Sequence, residues 1–193
     1  MNGIDLRAIG ERLRRVRAGF SALTVNRPWI AGVPDTIRVT SPAFEAGRDM
    51  PVRYTQDGAS LSPPLAWTNL PTGTRSLVLL VEDPDVPFPV PLVHAIVHAI
   101  RPESDGLAEA ALPYRLRGTA PEGFAMGRNG LARTGWTAPA PPPGHGPHHY
   151  AFQVFALDSV PRFDWPPGRG YLLRRTRPHM LARGTLFGVY ERI

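Results

Sequence analysis

The chain has no cysteine and no lysine; all 22 of its Lys/Arg-type side chains are arginine. Without thiols there is no disulfide, no thiolate metal site and no cysteine nucleophile, which fits a reducing, cytoplasmic location. No apolar run approaches the ~20 residues that a membrane-spanning helix needs. The N-terminal segment is interrupted by Asp5, Arg7, Glu11, Arg12, Arg14, Arg15 and Arg17. It therefore lacks the uncharged apolar centre of a signal peptide. A net charge of +6 would suit a polyanionic partner. Beyond the N-terminal segment, however, the arginines are scattered and form no basic stripe, so nucleic acid is not an expected partner.

What the chain does have is turn formers. Nineteen glycines and 23 prolines separate short apolar runs in 193 residues, a pattern that favours a loop-rich, mainly β domain over a helical bundle. Residues 4–20 differ. Leu6, Ile9, Leu13, Val16 and Phe20 recur at spacings of three and four, which predicts an amphipathic helix with arginines on its other face. The expected organisation is an N-terminal helical extension over residues 1–35 and a β domain over 36–193. Strands are predicted at "TIRVTSPAF", "VRYT", "SLVLLVED", "LVHAIVHAI", "YAFQVFALD" and "TLFGVYERI", with a late helix near 169–183 interrupted at Pro178.

Three segments carry polar chemistry. In "EDPDVP" the acids follow a buried strand, and the prolines stiffen the loop that holds them. In "LVHAIVHAI" strict alternation puts His94 and His98 on one strand face. Positions four apart on a strand lie roughly 13 Å apart, too far to share one metal ion. The third segment, "PAPPPGHGPHHY", sets His145, His148 and His149 in a proline–glycine frame. It reads as a rigid wall presenting His148 and Tyr150 to a cavity, where imidazole and phenol donors suit a small anion. The sequence contains no G-x-S-x-G elbow, no P-loop glycine–lysine motif and no H-E-x-x-H. A hydrolase built on His94, His148 and Asp83, with Ser60, Ser62 or Thr137 as nucleophile, is the alternative to a binding protein.

The ordered segments "SPAF", "DGASLSPPLAW", "LPTGTRSLVLLVEDPDVP", "LVHAIVHAI", "GRNGLARTGW", "PPPGHGPHHYAFQVFALD" and "GVYER" carry a resemblance. From about Ile37 to Ile193 the chain resembles the phosphatidylethanolamine-binding protein family, in its bacterial YbhB/YbcL (Raf kinase inhibitor-like) branch. The resemblance implies a Greek-key β-sandwich of two antiparallel sheets with short C-terminal helices and a small surface pocket. It implies a non-catalytic protein without a cofactor that binds a small anion or phosphorylated head group. A kinase or protease as protein partner and a homodimeric state are implied as well. The pocket residues would be Asp83, Pro87, His94, Pro141, Pro142, His148 and Tyr150, with Asp85 tying down its loop. Four positions depart from the family pattern: His149 replaces the usual arginine, Ala95 a tryptophan, and Ala138 and Ala140 the glycine and cysteine of the proline loop. Extra methyl groups there would narrow the cavity or restrict φ.

Overall fold

The computed structural model describes residues 5–114 and 122–193. The predicted runs "SLVLLVED" and "LVHAIVHAI" become the two central strands of the molecule, β4 (Ser76–Asp83) and β5 (Leu92–Ile100). With β2 (Arg48–Asp49), β7 (Ala125–Met126), β8 (His148–Leu157) and β9 (Met180–Tyr190) they build one sheet in the order β2-β9-β8-β4-β5-β7. A second sheet, β1-β3-β6, joins β1 (Arg38–Thr40), β3 (Leu65–Thr68) and β6 (Gly106–Leu107). The pairings are antiparallel except at one edge, where β2 lies parallel to β9. The fold is thus mainly β with two sheets, as the sequence led us to expect.

Both faces of the large sheet are buried, which explains why its central strands read as unbroken apolar runs. Leu77, Leu79, Val81, Phe152 and Val154 point toward the small sheet and meet Val39, Leu65 and Trp67. Val78, Leu80, Ile96 and Phe155 point the other way and are covered by Leu23, Val25, Ile30 and Leu172. The segment around residues 23–30 is therefore part of a core. It is pinned from below by the buried Glu82 carboxylate, which accepts from Thr24 N–H and the Gln153 amide and pairs with Arg169.

Several local expectations are corrected. The N-terminal helix, α1, covers only Leu6–Leu13, capped by Asp5, whose carboxylate accepts from the Arg7 and Ala8 N–H groups. Beyond it the backbone is claimed by tertiary bonds, Ala18 N–H to Val86 O and Gly19 N–H to Pro84 O, and Gly19 lies at φ +88°. The segment "VRYT" is a turn of 3-10 helix at Val52–Tyr54 instead of a strand. The late helix, α2, spans Arg169–Thr176 and a 3-10 turn around Pro178 follows it. Residues from Met180 onward are strand because β8 pairs them along its length, Ala156 with Ala182 and Phe155 with Arg183.

His94 and His98 do not share a face. Along β5 the register slips twice against β4, once at His94 and again before Ile100, where Ala99 takes φ +54°. Each slip places an extra residue on β5, the signature of a β-bulge, and turns the following side chains over. His94 therefore meets Trp136 and Tyr150 on the inner side, while His98 packs edge-on against Phe163 on the outer side.

Candidate functional site

The end of β4, the bulged start of β5 and the start of β8 lie side by side, so the polar residues of three distant segments converge. They line a cavity of about 230 Å³ bounded by Asp83, Pro87, His94, Pro141, Pro142, His148 and Tyr150. All seven expected pocket residues are on its wall, with Gln56, Val86, Phe88, Leu92, Leu131, Thr137, Ala138 and Ala140. The volume is below the range usual for drug-sized ligands, so it suits a small group. Ala138 and Ala140 add methyl groups to the wall without strain, since neither has a positive φ.

Asp83 sits at the floor. One oxygen accepts from Asp85 N–H at 2.7 Å, closing the Asp-Pro turn, and the other meets His148 Nδ1 at 2.7 Å. His148 Nε2 in turn meets His145 Nδ1 at 2.8 Å. Both nitrogens of His148 are therefore engaged inside the protein. Burial, His148 and Arg17 hold His145 below the ordinary histidine range, partly opposed by the carbonyls of Leu13 and Val16. The histidine tract thus does not converge on one point, because His149 turns instead to Asp85 at 2.8 Å.

His94 is buried and its Nδ1 lies 2.6 Å from the Thr137 carbonyl, which fixes the proton on Nδ1. Its Nε2 has no hydrogen-bond partner and lies 4.0 Å from Asp83 Oδ2. Burial lowers its pKa, offset in part by the Asp83 charge and the Thr137 carbonyl. The Tyr150 hydroxyl also has no partner, and burial beside Asp83 and Asp85 raises its pKa well above the usual value, so it stays a neutral phenol.

The frame behind these groups includes residues that sequence reasoning missed. Asn129 in "GRNGLARTGW" donates to the Thr137 hydroxyl and the Gly135 carbonyl and accepts from the Leu131 and Arg133 N–H groups. It thereby holds the segment that orients His94; the clustered glycines around it were the available signal. Arg17 pairs with Asp85 and donates to the carbonyls of His145 and Pro147, linking both rim loops. Burial works against the Asp85 charge, yet hydrogen bonds from the His149 backbone and ring and from Arg17 hold its carboxyl below the usual range. Asp85 ties the loop down, as expected. Of the imagined nucleophiles, Ser60 and Ser62 do not line the cavity, and the Thr137 hydroxyl is bonded to Asn129.

A sequence model described as phosphatidylethanolamine-binding protein matches residues 40–191. The chain belongs to the phosphatidylethanolamine-binding protein family. It is 35% identical over 177 residues to a UPF0098 protein of Aquifex aeolicus, covering 90% of this chain and 99% of that protein. A UPF0098 protein of Methanothermobacter thermautotrophicus is 37% identical over 152 residues, covering 78% of this chain and 95% of its own. Two crystal structures are similar. One is CT736 of Chlamydia trachomatis, described as a putative homologue of the family (TM-score 0.73, 33% identity, 82% of this chain and 99% of that one). The other is YbcL of E. coli, described as a new member of the mammalian family (TM-score 0.75, 28% identity, 82% and 99%).

Proposed function

We propose that the protein is a non-catalytic, cytoplasmic binding protein whose pocket holds the anionic part of a small ligand: phosphate, a phosphorylated head group or a carboxylate. The observation that carries this reading is the pair of buried, unpartnered polar atoms, His94 Nε2 and Tyr150 Oη, in a cavity of about 230 Å³. Buried polar groups are normally satisfied, so two in one small cavity support the reading that a ligand completes the bonding there. The proline-framed wall keeps the site formed in advance and lowers the ordering cost of binding. The Asp83–His148 contact also fits acid–base chemistry, but of the candidate nucleophiles Ser60 and Ser62 do not line the cavity and Thr137 is held by Asn129. Turnover lost in His148→Ala would favour the hydrolase alternative. A kinase or protease partner rests on the resemblance alone.

Calorimetric titration with phosphate, O-phosphorylethanolamine and acetate tests the reading. Binding of at least one of them is expected, weakened about tenfold or more in His148→Ala and Asp83→Ala through loss of the buried Asp83–His148 contact that keeps the pocket floor in place. A folded protein that gives no heat, or variants that bind as well as the parent, would contradict it. The proposed homodimer has its own test. A solution mass twice 21.2 kDa supports it, and a mass of 21.2 kDa removes it.

A further inference from the structure

The unpartnered atoms of the pocket also restrict what kind of anion it accepts. Because the Thr137 carbonyl can only accept, the His94 proton is on Nδ1, and the atom left toward the cavity is a lone pair. His148 offers no N–H to the cavity, since Asp83 and His145 occupy its two nitrogens. Asp83 adds a carboxylate 4.0 Å from His94 Nε2. The Tyr150 hydroxyl is the one unpartnered donor among these four side chains. A fully ionised oxyanion entering here would place lone pairs against the His94 lone pair and the Asp83 charge.

We propose, building on the anion-pocket reading above, that the pocket selects an oxyanion that brings its own proton over one that has none. Hydrogen phosphate and a phosphate monoester monoanion belong to the first class; sulfate esters and phosphodiesters belong to the second. In the complex, Tyr150 O–H donates to an ionised ligand oxygen and the ligand O–H donates to His94 Nε2. Shifting that proton along the same hydrogen bond gives a histidinium and the more ionised ligand. The proton count is the same in both descriptions, so one proton accompanies each ligand.

The surroundings of His94 agree. From β4 it faces Asp83; from β8 it faces His148 and the edge of the Tyr150 ring at 5.1 Å; from the 136–137 segment it faces the Trp136 ring and the Thr137 carbonyl. Arg192 and Asp85 act on Tyr150 from farther off, and Arg17 acts on His145. The lowered basicity of His94 keeps the lone pair free near neutral pH.

Methyl phosphate and methyl sulfate make a matched pair of probes. As monoanions they have the same charge and nearly the same shape, and they differ by one proton. At pH 7.5 methyl sulfate is expected to bind at least about a hundredfold more weakly, because it leaves a buried acceptor facing an anion. A phosphate monoester loses its second proton with a pKa of about 6, so at pH 8 nearly all free ligand is dianionic. Titrations in two buffers of different ionisation enthalpy should then show uptake of about one proton per ligand, and the apparent Kd should weaken about tenfold per pH unit above 7. His94→Gln, whose amide can turn either its oxygen or its NH2 group to the ligand, should narrow the phosphate-over-sulfate ratio. Equal affinity for both probes without proton uptake by the unmodified protein would overturn the proton requirement while leaving the anion pocket standing. Binding of neither probe, nor of acetate, would overturn both.

Discussion

His98 buries an imidazole with an unpartnered Nδ1 against Phe163, and burial pushes its pKa down to about 4. In the unfolded chain the same group would titrate near its ordinary value of about 6.5. The folded pKa is the lower one, so between those values the unfolded state binds more protons. Its stability contribution is complete above about pH 6.5 and is lost as pH falls toward 4; the full effect is on the order of 3 kcal/mol. His94 and His145 are lowered as well and act with the same sign. His98→Phe should therefore flatten the acid side of the stability profile, measured as urea midpoints from pH 7.5 to 4. An unchanged slope would show that His98 is not the group responsible. At this scale the sequence was informative about Asp83, His94, His148 and Tyr150, because acids and imidazoles inside apolar, proline-fenced strands are costly unless used. It gave no sign of the partnership of Arg17 with Asp85, since 68 residues separate them and only the folded chain brings them together.

The elements that shape the site meet through glycine. A Cβ on Gly10 in α1 would lie 2.0 Å from the Pro143 carbonyl oxygen, and one on Gly144 would lie 3.2 Å from the Arg7 carbonyl oxygen. Helix and proline loop thus approach backbone to backbone, and α1 turns Gly10 inward while Leu6 and Ile9 stay exposed. The heptad-like spacing located the helix but misjudged its buried face, because an inward glycine is invisible to a hydrophobic pattern. Gly10→Ala should force α1 off the loop at a cost of about 1–3 kcal/mol, typical of overpacking. The melting temperature should fall, and cleavage by trypsin at the arginines of residues 7–17 should quicken. Cleavage no faster than in the parent protein would contradict this docking. The β5 bulges were equally illegible: they are set by pairing with β4, and alternation alone placed His94 and His98 together. The long core strands were legible as apolar runs, whereas "VRYT" was misread as a strand, Leu65–Thr68 was missed and strand faces were read less well.

Across the molecule, one large sheet with two buried faces does two tasks. Its outer face holds the 23–30 segment and α2 through Leu23, Ile30, Leu172 and the Glu82 network. Its inner face, at one end, turns Asp83, His94, His148 and Tyr150 toward the same cavity. The most direct test of that assignment is a histidine-ring 1H–15N NMR titration of the whole chain with methyl phosphate at pH 7.5. The Nε2 resonance of His94 should begin in the range of an unprotonated nitrogen and move as ligand is added, while His98 on the outer face and His179 beside Asp158 stay still. Saturable binding that leaves His94 unmoved, or that shifts His98 or His179 instead, would contradict the account.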